Sequence, residues 1–299
     1  MSSPRAGAAV PPWALAVAAI LSVQLGSALS VDLIREVGAG GTAWLRLSMG
    51  AVIFLIIARP PLSRVRRSDV PVLLGLGITT GLVTVGFLAA IEHIPLGTAV
   101  AIEFLGPLTV AALQSRSLRA LIWPGLALCG VLLLTEPWHG AINLTGILFA
   151  GLAAVGWGVY ITLTQRIGDR FTGISALSLT IPVAAVTAAA IGIPQAVGHL
   201  SPGILAAAAG LAILLPVLPF ALEMLALRRM TATAFGTLMA LEPAVGLVLG
   251  MIVLHQQPSS LQFLGILLVV LAGAAAQRGG RRRSPAEQLP GGSTLDPIP

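Results

Sequence analysis

The sequence predicts an all-α membrane protein of ten transmembrane helices in two inverted five-helix repeats. Three observations carry that reading: a composition too apolar for water, ten apolar segments of spanning length, and arginines confined to alternate loops. Of the 299 residues 56% are hydrophobic and 9% charged, with a mean hydropathy of +0.96, which leaves far too little charged surface to clothe a soluble globule. One helical span takes about 20 largely apolar residues, so the chain has room for ten spans with short loops and for no large soluble domain besides. Its solvent is therefore expected to be the lipid bilayer.

Apolar segments bounded by charges, Pro or Gly run over residues 13–31, 42–58, 70–91, 97–113 and 119–135, then over 144–164, 173–194, 203–225, 231–254 and 259–276. Five belong to a first half, residues 13–135, and five to a second, residues 144–277. Residues 1–12 form a cytoplasmic N-terminal segment. Arg5 followed by the apolar run from Trp13 resembles a signal sequence, but the many later spans make it an uncleaved first helix. Residues 278–299, rich in Arg, Gly, Pro and Ser and without apolar periodicity, are expected to be a disordered cytoplasmic tail.

All 17 basic residues are arginine. The loops after the second segment (Arg59, Arg64, Arg66, Arg67), the fourth (Arg116, Arg119), the sixth (Arg166, Arg170) and the eighth (Arg228, Arg229) are all even-numbered. With Arg5, Arg278, Arg281, Arg282 and Arg283 they place fifteen arginines on one side, against Arg35 alone on the other and Arg46 inside the second segment. Basic loops stay in the cytoplasm, so both termini are predicted there. Merging or splitting one span would move later arginines to the wrong side, and five helices per half require the second half to sit upside down relative to the first.

The same placement disposes of nucleic acid as a partner, although the net charge is +6, because the basic residues sit where membrane topology demands them. Cys129 is the only cysteine and lies in an apolar stretch, so no intramolecular disulfide, zinc cluster or Cys pair can form and it reads as packing. There is no GxxxxGK[ST] loop and no His pair at helical spacing. The sequence predicts no metal, no cofactor, no enzyme active site and no ATP-driven pump.

Aligning Pro107 with Pro243, an offset of 136, pairs Ala90 with Ala226, Leu105 with Leu241 and the fourth segment with the ninth. Inverted repeats have two near-equivalent packings, one open to each side, the geometric basis of alternating access. That architecture favours transport over scaffolding.

Ionisable groups inside a span cost roughly 2.5 to 3.5 kcal/mol on insertion scales, so each needs a partner, a wet cavity or a function. Glu242 lies about 16 Å along the ninth segment, near the bilayer midplane, and is the first candidate site residue; pairing with a neighbouring helix is the structural alternative. Glu103 lies in the fourth segment, and Pro107, lacking an N–H, leaves the Glu103 carbonyl without its helical donor. Pro243 does the same to Met239, the repeat equivalent of residue 103. Paired helix breaks beside carboxylates suit a cation or ammonium site, or are simple kinks. Arg46 can bind a substrate carboxylate, pair with Glu103 or snorkel outward. Glu223 is close in sequence to Arg228 and Arg229, so an interfacial ion pair is favoured over a gate. Gln24, Gln114, Thr162 and Gln165 suit a cavity lining or interhelical hydrogen bonds equally. Trp157 and Tyr160 are candidate pocket walls, with Trp44 closer to an interface anchor.

The stretches AVAIEFLGPLTVAAL at 99–113 and ALEMLALRRMTATAFGTLMALEPAVGLVLGMI at 221–252 resemble the EamA family of the drug/metabolite transporter superfamily, its threonine and homoserine exporters in particular. SVQLGSALS at 22–30, AWLRLSMG at 43–50 and VYITLTQRIG at 159–168 extend the resemblance over nearly the whole chain except both tails. It implies ten helices, two EamA-type repeats, cytoplasmic termini in the bacterial inner membrane, and proton-driven efflux of small amino acids. Direction and energy source come from the resemblance alone. Relatives usually show a Gly-Glu pair where this chain has His255-Gln256, so any role of that Glu is missing here.

The expected partners are therefore small zwitterionic amino acids, protons and the lipid bilayer. The amino acid's ammonium would face Glu103 or Glu242, and its carboxylate would face Arg46 or a helix dipole. Export of drugs or other metabolites on the same fold, and a non-transporting assembly or sensor role through the Arg-rich tail, remain as alternatives. The sequence leaves the oligomeric state open, a homodimer included.

Overall fold

A 47-residue helix, drawn straight, would be about 70 Å long, more than twice the roughly 30 Å hydrocarbon core. The helix α1, Pro12–Ala58, has that many residues and is broken at Gly38, whose backbone (φ 74°, ψ 166°) leaves the helical region. Only a residue without a Cβ fits, because a Cβ there would reach within 2.5 Å of the Gln195 side-chain oxygen. The same Gln195 Oε1 accepts a hydrogen bond from the Gly41 N–H at 3.1 Å, satisfying a donor that the break exposes. Residues 12–37 and 39–58 thus form two arms, close to the first two apolar segments of the sequence.

The computed structural model describes residues 10–58, 65–114, 118–136, 138, 143–167 and 174–279. Residues 1–9, the arginine-bearing stretches 59–64, 115–117 and 168–173, and the tail from residue 280 lie outside the described residues, as do the expectations attached to them.

Among the described residues all regular structure is helical. After α1 come α2 (Val70–His93), α3 (Leu96–Gln114), α4 (Ile122–Thr135), α5 (Leu144–Ile167), α6 (Ile174–Ala196), α7 (Pro202–Ala212), α8 (Leu218–Leu227), α9 (Ala232–Met239), α10 (Glu242–Val253) and α11 (Ser260–Gly279). Seven helical segments are long and apolar enough to cross a membrane, with Pro202–Leu227 and Ala234–Val253 each counted as one; α4 and Ser260–Ala276 of α11 are apolar but shorter.

Two segments that read as single helices are interrupted. Residues 203–225 split at a π turn, Ile213–Val217, where Pro216 removes a donor and Leu215 adopts extended angles (φ −159°, ψ 110°). The Leu214 carbonyl within that turn accepts a hydrogen bond from Ser22 Oγ at 2.7 Å. Residues 231–254 split between Met239 and Glu242, with Pro243 in the first turn of α10. Pro107 lies inside an α3 that continues past it, so the two prolines share a missing donor and differ in outcome.

Helices from residues 12–135 interleave with those from residues 144–279. α2 packs on α5 and α6, α3 on α5 and α10, α4 on α11, and α1 on α6, α7, α8 and α10. At the α4–α11 crossing Gly130 faces Gly265, and a Cβ on either would come within 2.6 Å of the other's carbonyl oxygen. Small residues permit such backbone approach where hydrophobic burial between helices supplies little drive, lipid being as apolar as leucine. The outer surface is apolar: Leu148 on α5, Val186 on α6, Ile252 on α10 and Leu267 on α11 are all more than half exposed. Such a surface is stable only against lipid, and the chain is a multi-pass membrane protein. Cys129 on α4 is exposed as well, not packed as the sequence suggested.

Candidate functional site

Four charged side chains carried on the apolar helices line one cavity of about 270 Å³. Its charged lining is Arg46 from the second arm of α1, Glu103 from α3, Glu223 from α8 and Glu242 from α10. One positive group therefore stands among three carboxyls. Arg46 and Glu103 are within electrostatic range of each other, as are Glu242 and both other carboxyls. No salt bridge links any of these four to another, whereas Arg35 and Asp32 pair at an exposed site.

Each charge is held by an identifiable local feature. Arg46 is 4% exposed, so it neither snorkels nor reaches solvent. Its Nη1 donates to Ser30 Oγ at 3.3 Å, and that hydroxyl donates onward to the Gly26 carbonyl at 2.6 Å, which aims the guanidinium across the break of α1. Glu242 is the first residue of α10 and is buried. There it sits at the positive end of a helix dipole, which favours negative charge and leaves backbone N–H groups free to face an anion. Glu223 lines the cavity and makes no ion pair with Arg228 or Arg229, both of which are exposed. Trp157 and Tyr160 add aromatic wall from α5. Pro107 and Pro243 are not part of the lining; each acts on the site only through the helix that carries Glu103 or Glu242.

Several lining residues were not singled out by the sequence. Ser27 comes from the first arm of α1, Thr80, Thr84 and Phe87 from α2, and Leu215 from the interrupted turn before α8. The signal available was spacing: Gln24 with Ser27, and Thr80 with Thr84, are three and four residues apart and so share a helix face. Of the neutral polar candidates, only Gln24 reaches the cavity. Gln114 and Gln165 instead hydrogen-bond each other at 2.8 Å between α3 and α5 at an exposed site. Among the described residues no three His, Cys, Asp or Glu side chains are grouped to hold a metal ion.

A second cavity, of about 290 Å³, lies one helical turn along. Val31 and Ile91 line it, four residues beyond Ser27 and Phe87, about 6 Å at 1.5 Å per residue. Ser30 and Leu88, in the turn between, are fully buried. At this level Gln256 accepts a hydrogen bond from the Leu96 N–H at 3.3 Å, capping the first turn of α3.

A cavity bearing opposite charges, lined from α1, α2, α3, α5, α8 and α10 and set beside interrupted helices, is the arrangement of a membrane carrier's binding site. Comparison with known proteins agrees. Residues 144–275 match the EamA-like transporter family. The threonine/homoserine exporter RhtA of Salmonella typhimurium is 34% identical over 283 residues, covering 93% of this chain and 95% of that protein. RhtA of Escherichia coli K12 is 33% identical over 287 residues with the same coverage. A solved protein crystal structure shares the fold at a TM-score of 0.59 and 19% identity, covering 90% of this chain and 99% of the other. The chain belongs to the EamA-like transporter family.

Proposed function

We propose that this protein is a secondary active exporter of small amino acids of the threonine and homoserine kind, working across the bacterial inner membrane. The observation that carries the reading is the cavity, where one guanidinium stands among three carboxyls with no ion pair between them. A zwitterion needs both signs within a few ångströms, and a site whose charges are not already paired can answer them. The similarity to threonine/homoserine exporters over nearly their full length supplies the substrate class.

In the proposed mechanism the substrate carboxylate lies on Arg46 and its ammonium between Glu103 and Glu242. With the cavity open to the outside, a proton arriving on one carboxyl weakens its hold on the ammonium and releases the substrate; the protonated carrier returns inward and gives up the proton there. The walls that rock are the two halves, residues 13–135 and 144–277. Counting the two arms of α1 separately, Pro202–Leu227 and Ala234–Val253 as one span each, and α4 and α11 as spans gives ten helices, five per half. With the arginine distribution this supports inverted repeats and cytoplasmic termini.

The test is uptake of radiolabelled threonine into everted membrane vesicles with an acid interior. The reading expects accumulation that a protonophore abolishes. Uptake equal to that of vesicles lacking the protein would overturn it.

A further inference from the structure

A groove of about 650 Å³ runs between α3 and α5 and shares no lining residue with the central cavity. Its floor is a close crossing of the two helices. A Cβ on Gly106 of α3 would come within 2.1 Å of the Ala154 carbonyl oxygen of α5, and one on Gly158 within 3.2 Å of the Val110 side chain. Gly151, farther along α5, has nothing within 4 Å of where its Cβ would stand, so the groove is open at that level. Val155 and Val159 form an exposed apolar rim.

One end of this groove carries a charge. Arg166, in the last turn of α5, lines it and is exposed. Beside it Gln114 Nε2 donates to Gln165 Oε1 at 2.8 Å, which fixes the register of α3 against α5 at this end. From Gly151 to Arg166 the helix advances fifteen residues, about 22 Å at 1.5 Å per residue. A bilayer with its headgroups is about 40–45 Å thick, so the groove is one leaflet long, from the midplane to the headgroups. A transmembrane helix of a second copy would pack along both leaflets, whereas a single lipid occupies one.

Charge separates this groove from a second of similar form. The groove of about 520 Å³ between α1 and α7 includes Gly203 and Gly210 but carries Asp32 and Glu36, with Arg35 paired to Asp32 at 3.1 Å. A negative headgroup is repelled there and attracted to Arg166, whose guanidinium offers paired N–H donors to phosphate oxygens. We propose that the α3–α5 groove is a binding site for an anionic phospholipid, with the phosphate on Arg166 and one acyl chain lying past Gly158 to Gly151. The site goes beyond the transport reading and does not rest on it, since it requires only that the chain spans the bilayer.

The experiment titrates phosphatidylglycerol or phosphatidylcholine into the purified full chain in an uncharged detergent and reads intact protein–lipid complexes by native mass spectrometry. The wild type is expected to bind phosphatidylglycerol about five-fold more tightly at low salt, the effect of one arginine near an anionic surface, and to lose that preference at high salt. Arg166→Gln is expected to equalise the two lipids, while Arg166→Lys, which keeps the charge, and Glu36→Gln, in the other groove, retain the preference. Gly151→Leu places its side chain in empty space, so the fold is expected to persist while the one-to-one complex with either lipid is lost. If the variants unfold, the salt dependence of the wild type decides the matter. Equal affinity of the wild type for the two lipids, or an unchanged ratio in Arg166→Gln, leaves only a general lipid annulus and sinks the site. A complex of two chains that Gly151→Leu dissociates, with lipid binding unchanged, overturns it in favour of a second copy.

Discussion

The central cavity and the α4–α11 crossing use the same residue types to opposite ends. At the crossing Glu136, which caps α4 in a left-handed conformation, receives a hydrogen bond from Ser259 Oγ. The Ser259 N–H donates to Gln262 Oε1 at 3.1 Å, and the Gln262 side-chain nitrogen donates to the Leu134 carbonyl at 3.1 Å. Each of these groups has a partner, and the glycine pair below lets the backbones touch. In the cavity other glutamates line open space, with Arg46 Nε left without a partner among the described residues. A polar group in lipid-embedded protein is structural when its bonding is complete and a candidate for ligand contact when it is not.

The largest effects should come from the cavity. Glu103→Gln and Glu242→Gln should each abolish accumulation driven by the pH gradient, and Arg46→Gln should weaken substrate binding at least about 30-fold, the low end of what truncating one partner of a buried charge pair costs. Vesicle uptake and equilibrium binding to the purified protein check these, and transport unchanged in both glutamate variants would remove those residues from the mechanism. An intermediate effect is expected at the crossing, where Gly130→Leu should destabilise the folded protein by about 1–3 kcal/mol through overpacking, read as a lower midpoint of thermal unfolding in detergent. Substrate affinity per folded molecule should stay unchanged. The smallest is Glu136→Gln, which keeps a hydrogen-bond acceptor for Ser259 and should cost about 1 kcal/mol or less. A loss of transport in Glu136→Gln with stability preserved would break the contrast between the two regions.

Much of the site was legible in the chain because charges inside apolar segments are rare and conspicuous. Arg46, Glu103, Glu242, Trp157 and Tyr160, all singled out from sequence, line one cavity. Glu223 shows why nearness in sequence misleads: residues five apart on a helix are turned by about 140° from each other at 100° per residue, so Glu223 faces inward while Arg228 is exposed. The interruption of the ninth segment was half visible in Pro243. The one at residues 213–217 was signalled by Pro216 and not taken as a break. Gln24 was seen but could not be ranked, since a glutamine in a span serves an interhelical hydrogen bond equally well, as Gln114 and Gln165 do.

By itself, then, the sequence determined that this protein lives in lipid, where its apolar segments run and which charges they carry. Those properties are local and additive along the chain, residue by residue. Only the tertiary structure decided which polar groups meet. The cavity draws Gln24, Arg46, Thr80, Glu103, Tyr160, Glu223 and Glu242 from positions more than 200 residues apart, and whether a side chain's hydrogen bonds are filled or left open depends on neighbours that helix packing alone supplies.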